Sequence, residues 1–385
     1  MIFNKENEMN SIIDKSMCSG CHACASACPR GSIRMECDEE GFLYPKIDAT
    51  SCIDCGGCKK VCPVIEKNQA TLKTSAYAIK NVDSETRQQS SSGGVFTAIA
   101  EEVISKGGVV FGASFDEKFN VCHICVDNVE DLSKLRGSKY LQSTIGNAFE
   151  KAGRILDEGK IVYFTGTPCQ IEGLLKYLKK DYQNLVTSDI ICHGVPSPLV
   201  WQMYLKSKSQ DNPISVSFRD KKYGWGRYAV RINFESGEEY FSLASEDKYI
   251  KAFLSDLCLR PSCYNCSFKS KNRASDLTLA DFWGIENVLP EMNDGKGTSL
   301  VLVHSAKGKE ILQKITEQLV CQEVDLDSAL IYNPSAVRSV VKPVNRDKFM
   351  SKVNSQDFDK MVEQYSKRSF LQKVKNKLKR IIKSF

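Results

Sequence analysis

The chain has 385 residues, 42% hydrophobic and 26% charged, with a formal net charge of +6. That length suits two or three domains, and the polar residues 1–14 lack the apolar segment of a secretion signal. With no apolar run of transmembrane length, the 17 cysteines are expected to be metal ligands or buried small hydrophobes of a cytoplasmic protein, not disulfides.

Taken from the N-terminus, the first element is a repeat. Cys18, Cys21, Cys24 and Cys28 precede Pro29; Cys52, Cys55, Cys58 and Cys62 precede Pro63, with the same spacing 34 residues later. Such a repeat builds a ferredoxin module with two 4Fe-4S clusters, each motif giving three thiolates to one cluster and its fourth to the other. Cys18, Cys21 and Cys24 therefore pair with Cys62, and Cys52, Cys55 and Cys58 with Cys28. Zinc would leave the third Cys-x-x-Cys step and both prolines without a reason. Residues 1–68 are expected to form this α+β dicluster domain, followed by a polar linker over 66–74.

Beyond the linker, apolar runs alternate with helical periodicity. Strands are predicted over 76–80, 109–115, 121–127, 160–164 and 186–192, and helices over 94–106, 143–156, 168–179 and 198–208. Residues 214–243 read as β structure turning at 224–226, then a helix over 246–257 and a buried strand over 298–304. This alternation predicts an α/β core with a mixed sheet over 75–335, in two parts, 75–155 and 156–335.

Nine cysteines lie outside the repeat. Cys258, Cys263 and Cys266 cluster; Cys169 follows a strand-to-helix turn and Cys192 a strand, where ligands gather in α/β sheets. Four thiolates from these segments would hold a third cluster; buried structural cysteines are the competing reading. Cys122 and Cys125 would face opposite sides of a strand, and Cys37 and Cys321 have no partner.

Residues 336–385 form a C-terminal extension. Its residues 367–385 carry eight cations and no acid; without them 45 basic residues face 47 acidic ones, so no nucleic-acid-binding face is expected on the body. Leu371, Val374, Leu378, Ile381 and Phe385 recur every three or four residues among these cations. A basic amphipathic helix of that kind can touch an anionic membrane, placing a cytoplasmic protein at its periphery; docking on a protein surface and disorder are the alternatives.

The stretches QQSSSGGVFTAIA, LRGSKYLQS, TGTPCQIEGLL, DIICHGVPSP, RPSCYNCSFK and RASDLTLADFWG carry a resemblance to the beta subunits of coenzyme F420 (deazaflavin) hydrogenases and dehydrogenases. With the ferredoxin module it covers three-quarters of the chain. The resemblance implies a core that binds FAD beside a 4Fe-4S cluster, with Cys169, Cys192, Cys263 and Cys266 as ligands and Cys258 as a fifth candidate. For the flavin, Ser92, Gly93 and Gly94 open a helix whose N-terminus suits a pyrophosphate; a plain Ser cap with flexible glycines would look the same. Ser138, Lys139 and Tyr140 offer a cation and an aromatic, and Gly166, Thr167 and Pro168 form a second strand-to-helix turn. Lys139 also reads as a solvated surface lysine, and His193 as either a proton relay or a structural histidine.

The expected function is a flavin and iron–sulfur oxidoreductase exchanging electrons between a hydride carrier or substrate, FAD, the clusters and a partner protein or subunit. A ferredoxin-driven reductase in cell-surface polysaccharide metabolism and a passive electron-transfer subunit are the alternatives.

Overall fold

The computed structural model describes residues 12–66, 73–353 and 355–366; the basic stripe of 371–385 lies outside them. The chain opens on short helices Ala23–Ser26 and Gly57–Lys60 flanking an antiparallel hairpin of β1 (Ile33–Cys37) and β2 (Leu43–Ile47). The two cysteine loops repeat in conformation as well as in sequence. Gly20 and His22 have φ of 66° and 67°; Asp54 and Gly56, 34 residues on, have 48° and 67°. Two left-handed residues per loop curl the backbone around the space that its thiols surround.

The centre is a nine-stranded sheet. It contains β3 (Ser75–Asn81), β4 (Val109–Phe115), β5 (Val121–Val126), β6 (Ser143–Thr144), β7 (Val162–Thr165) and β8 (Leu185–Ile190). A separate antiparallel sheet follows, of β9 (Pro213–Asp220), β10 (Ala229–Phe234) and β11 (Glu239–Leu243), before β12 (Leu277–Asp281), β13 (Ser299–Val303) and β14 (Leu319–Val324) rejoin the first. The order β14-β3-β13-β12-β8-β7-β4-β5-β6 is parallel from β12 through β8 and β7 to β4. On the β14 side the pairs are antiparallel, so the mixed sheet expected from the sequence is present.

Strand alternation sends residues to two layers. Val110 and Tyr163 pack with Val95, Ile99, Val103 and Ile311 on one face. Val109, Phe111, Val162 and Phe164 pack with Phe149, Ala152, Ile171 and Leu174 on the other, and Cys21, Ala23 and Val61 of the N-terminal module join that layer. A third cluster unites β9–β11 with helix Pro198–Lys208 and takes Phe349, Met350, Phe358 and Met361 from beyond residue 336. Among the described residues no helix is long and apolar enough to cross a membrane.

The helix predicted over 143–156 is shorter than expected: it runs Ala148–Asp157, and Ser143 and Thr144 instead pair with Val121 and Cys122. Strand β8 stops at Ile190, so Cys192 lies in the segment after it.

Candidate functional site

Cys18, Cys21, Cys24 and Cys62 line one cavity with Ile12, Met35, Pro45 and Val64. The fourth thiol thus comes from the second motif, the grouping the repeat implies. Cys28 and Cys58 pack against the small apolar group of Ile12, Ile33 and Cys62. Cys52 and Cys55 are exposed, whereas Cys18, Cys21 and Cys62 are buried.

Cys169, Cys192, Cys263 and Cys266 come together around a second cavity. Pro168 and Cys169 begin helix Pro168–Leu178, closed by a capping box in which Thr167 and Gln170 bond each other reciprocally. The Thr167 hydroxyl lies 3.1 Å from Cys169 Sγ. Cys263 sits in the turn Pro261–Asn265, its thiol 3.5 Å from the Val195 N–H, and the Cys266 N–H donates to Ser339 Oγ at 3.0 Å. Burial raises the Cys169 and Cys263 thiols, and each neighbouring thiol raises them further. Burial also raises Cys192, while Lys269 and Arg273 pull it down.

Those two cations line the same cavity. Lys269 donates to the carbonyls of Cys192 and Ser335, and Arg273 pairs with buried Asp189 at 3.3 Å. Met17 and Ser19, from the N-terminal module, complete the wall. Single basic residues in an irregular loop carry no periodic signal, so sequence reasoning did not reach them. Among the described residues no three His, Cys, Asp or Glu side chains converge on one ion. Thiols set around a cavity instead of a point suit a cube of four irons better than a single zinc.

Cys258 is a correction to the set of candidates: it is fully buried in the aromatic core with Trp201, Tyr204 and Tyr249, and does not line the cavity. Cys122 and Cys125 stand opposite Ser114 and Phe111 on β5, and Cys37 and Cys321 are exposed. His193 lines the cavity edge, but its Nε2 is engaged by Asp256 at 2.7 Å.

Of the three segments expected at a flavin, two are in direct contact, and the third, Gly166–Pro168, follows parallel strand β7. The Ser91 and Ser138 hydroxyls are hydrogen bonded at 2.9 Å, joining the first two. His123, which bonds Thr165 O at 3.0 Å, is the nearest side chain beyond Gln170 to a Cβ at Gly166. Gly93 has its own structural reason: a Cβ there would meet Ile79 O at 2.4 Å, and its N–H donates to Ser299 Oγ. Gly94 is the N-cap of helix Val95–Ser105 at φ 85°, with no side-chain cap bond. Lys139 donates to the carbonyls of Leu135, Arg136 and Gly137; the residue is half-buried with its ammonium held inward, and burial lowers its pKa to about 7. Tyr140 stacks on Phe253 at 5.1 Å and receives a 3.5 Å contact from Arg219.

Comparison with known proteins fits this architecture. Residues 17–65 match the 4Fe-4S dicluster domain, so the chain is an iron–sulfur protein. Residues 76–150 and 159–329 match the N-terminal and C-terminal parts of the coenzyme F420 hydrogenase/dehydrogenase beta subunit. The chain belongs to that beta-subunit family, a family of oxidoreductases. The coenzyme F420-dependent sulfite reductase of Methanocaldococcus jannaschii is 33% identical over 178 residues, 44% of this chain and 27% of that protein. An uncharacterised protein of the same organism is 27% identical over 208 residues, 46% of this chain and 57% of that protein. The chain therefore spans about a quarter and somewhat over half of these relatives. A chain of the F420-reducing nickel–iron hydrogenase complex from Methanosarcina barkeri aligns over 70% of this chain and 96% of its own, at 16% identity and a TM-score of 0.44.

Proposed function

We propose that this chain is an iron–sulfur flavoprotein that moves electrons between a deazaflavin-type hydride carrier and an external one-electron protein partner. The observation that carries the reading is the second thiol cavity, whose wall is shared by the core and by Met17 and Ser19 of the dicluster module. Cys18, Cys21, Cys24 and Cys62 would hold one cluster, Cys28, Cys52, Cys55 and Cys58 a second, and Cys169, Cys192, Cys263 and Cys266 a third. FAD would lie along Ser92–Gly94, Ser138–Tyr140 and Gly166–Pro168. When bound, the flavin supplies the exchange between hydride and single electrons, and the clusters supply one-electron steps.

The chain's own residues set the surroundings. Lys269 and Arg273 place positive charge beside thiolates that iron binding would deprotonate. The fully buried packing of Phe164, Leu174 and Phe111 keeps water from the layer between module and sheet. Lys139, poised near neutrality, is the candidate proton-holding group at the flavin segments. Exposed Cys52, Cys55 and Ile53 offer the external partner its approach.

The test is composition followed by turnover. Anaerobically reconstituted chain should hold about twelve irons, the Cys263→Ser/Cys266→Ser pair about eight, and Cys258→Ser the full number. Denaturation should release one FAD, and reduced coenzyme F420 should reduce an oxidised viologen dye through the chain, developing the colour of the dye radical. Eight irons in the unaltered chain, or no released flavin, would remove the core centre from this reading.

A further inference from the structure

Arg260 is fully buried, and its position ties the two inner thiol sites together. Its backbone carbonyl accepts from the Cys263 N–H at 2.9 Å, and its own N–H donates to Val195 O at 3.0 Å. Its side chain reaches the other site. Nε donates to Cys18 O at 2.7 Å, Nη1 to Gln142 Oε1 at 3.0 Å, and Nη2 to Leu43 O at 2.9 Å and towards Cys18 Sγ at 3.7 Å. The guanidinium also lies 4.1 Å from the Tyr44 ring centre. A Cβ at Gly20 would come within 2.8 Å of Nη1, so the cysteine loop is moulded onto this side chain.

None of these acceptors is a carboxylate. A fully buried cation without a counter-charge is costly, and with a cluster bound the anion that this one would face is the iron-ligated Cys18 sulfur. N–H groups and positive charge beside cluster sulfurs favour the more negative, reduced state. We propose that Arg260 is a positioning residue that raises the reduction potential of the cluster held by Cys18, Cys21, Cys24 and Cys62, while its backbone fixes the ligand turn of the neighbouring site. Arginine stays protonated throughout. In the proposed function that cluster would accept one electron by way of the flavin, with no proton moved at the cluster; the two-electron oxidation of the hydride carrier, with its C–H cleavage and proton release, would be completed at the flavin.

The proposal rests on the cluster assignment, and the experiment separates the two. The full chain and its Arg260→Gln and Arg260→Lys variants are purified anaerobically, assayed for iron and titrated electrochemically with EPR detection. In Arg260→Gln one ferredoxin signal should move to lower potential while the other stays, with iron retained. Arg260→Lys, which keeps the charge but not the planar fork, should move the same signal by less. Full iron with both potentials unmoved in Arg260→Gln overturns the proposal alone. Loss of iron from both variants also overturns it, leaving Arg260 a folding residue. Background iron in the unaltered chain overturns the cluster assignment beneath it.

Discussion

At the scale of single residues, two side-chain environments give predictions independent of any cofactor. Gly93 has backbone of β3 and β13 where a Cβ would go, 2.4 Å from Ile79 O and 2.7 Å from Ser299 N. Gly93→Ala should therefore lower stability by about 1–3 kcal/mol in denaturant unfolding; an unchanged midpoint would mean the glycine serves ligand approach alone. His123 gives a pH dependence. Nε2 donates to Thr165 O and Nδ1 accepts from Ser143 Oγ at 2.7 Å, while burial lowers the pKa from 6.5 to about 4. Between those values the unfolded chain binds a proton that the folded chain refuses. Stability should rise with pH from about 4 to about 6.5 and then level, at a limiting slope of about 1.4 kcal/mol per pH unit for this residue. His123→Phe, which keeps a flat ring against Phe164, should flatten unfolding free energy between pH 5 and 6.5 by one proton. An equal slope in the variant would show that His123 does not carry it.

At the scale of elements, helix Pro168–Leu178 carries Cys169 in its first turn and one turn later backs onto the module, where a Cβ at Gly173 would lie 3.1 Å from Cys21 Cβ and Sγ. Gly173→Val should push the module away and weaken magnetic interaction between cluster signals in EPR. Gly153, on the neighbouring helix, has only ordinary contacts at 3.4 Å and beyond, so Gly153→Ala should be neutral or stabilise by about 0.5–1 kcal/mol in thermal unfolding. An intact EPR interaction in Gly173→Val would separate that helix from the coupling. These elements also show what could be read beforehand. β4 and helix Pro198–Lys208 fall where expected, because Gly107–Gly108 and Pro198 punctuate strong apolar patterns. β12 and β14 were missed: β12 is five residues long, and β14 is an edge strand with Val320, Cys321 and Glu323 exposed, so it lacks the apolar alternation of a half-buried strand. β6 is two residues long and exists through pairing with β5, a long-range contact without a local signature. The thiol groupings were legible because cysteine names its own chemistry; Arg260 was not, since burial of a loop arginine is decided by the folded neighbourhood.

At the scale of the molecule, the N-terminal module is built into the core. Arg346, buried beyond the family-matched region, forms a two-pronged ion pair with Glu40 of the β1–β2 turn. Ser197 Oγ donates to Glu40 O, and a Cβ at Gly41 would strike Leu199. Cutting the chain at a protease site inserted within 67–72 should thus leave both fragments co-eluting in gel filtration. Their separation at moderate salt would show that the covalent link, not this contact, holds the module.

The gradient from exposed Cys52 and Cys55 to buried Cys18, Cys21 and Cys62 has a chemical consequence of its own. Dioxygen and chelators meet the outermost thiols first. On the cluster assignment proposed above, damage in air should therefore be stepwise, with the surface cluster lost early and the interior centres surviving as a protein that would still take up electrons but no longer hand them on.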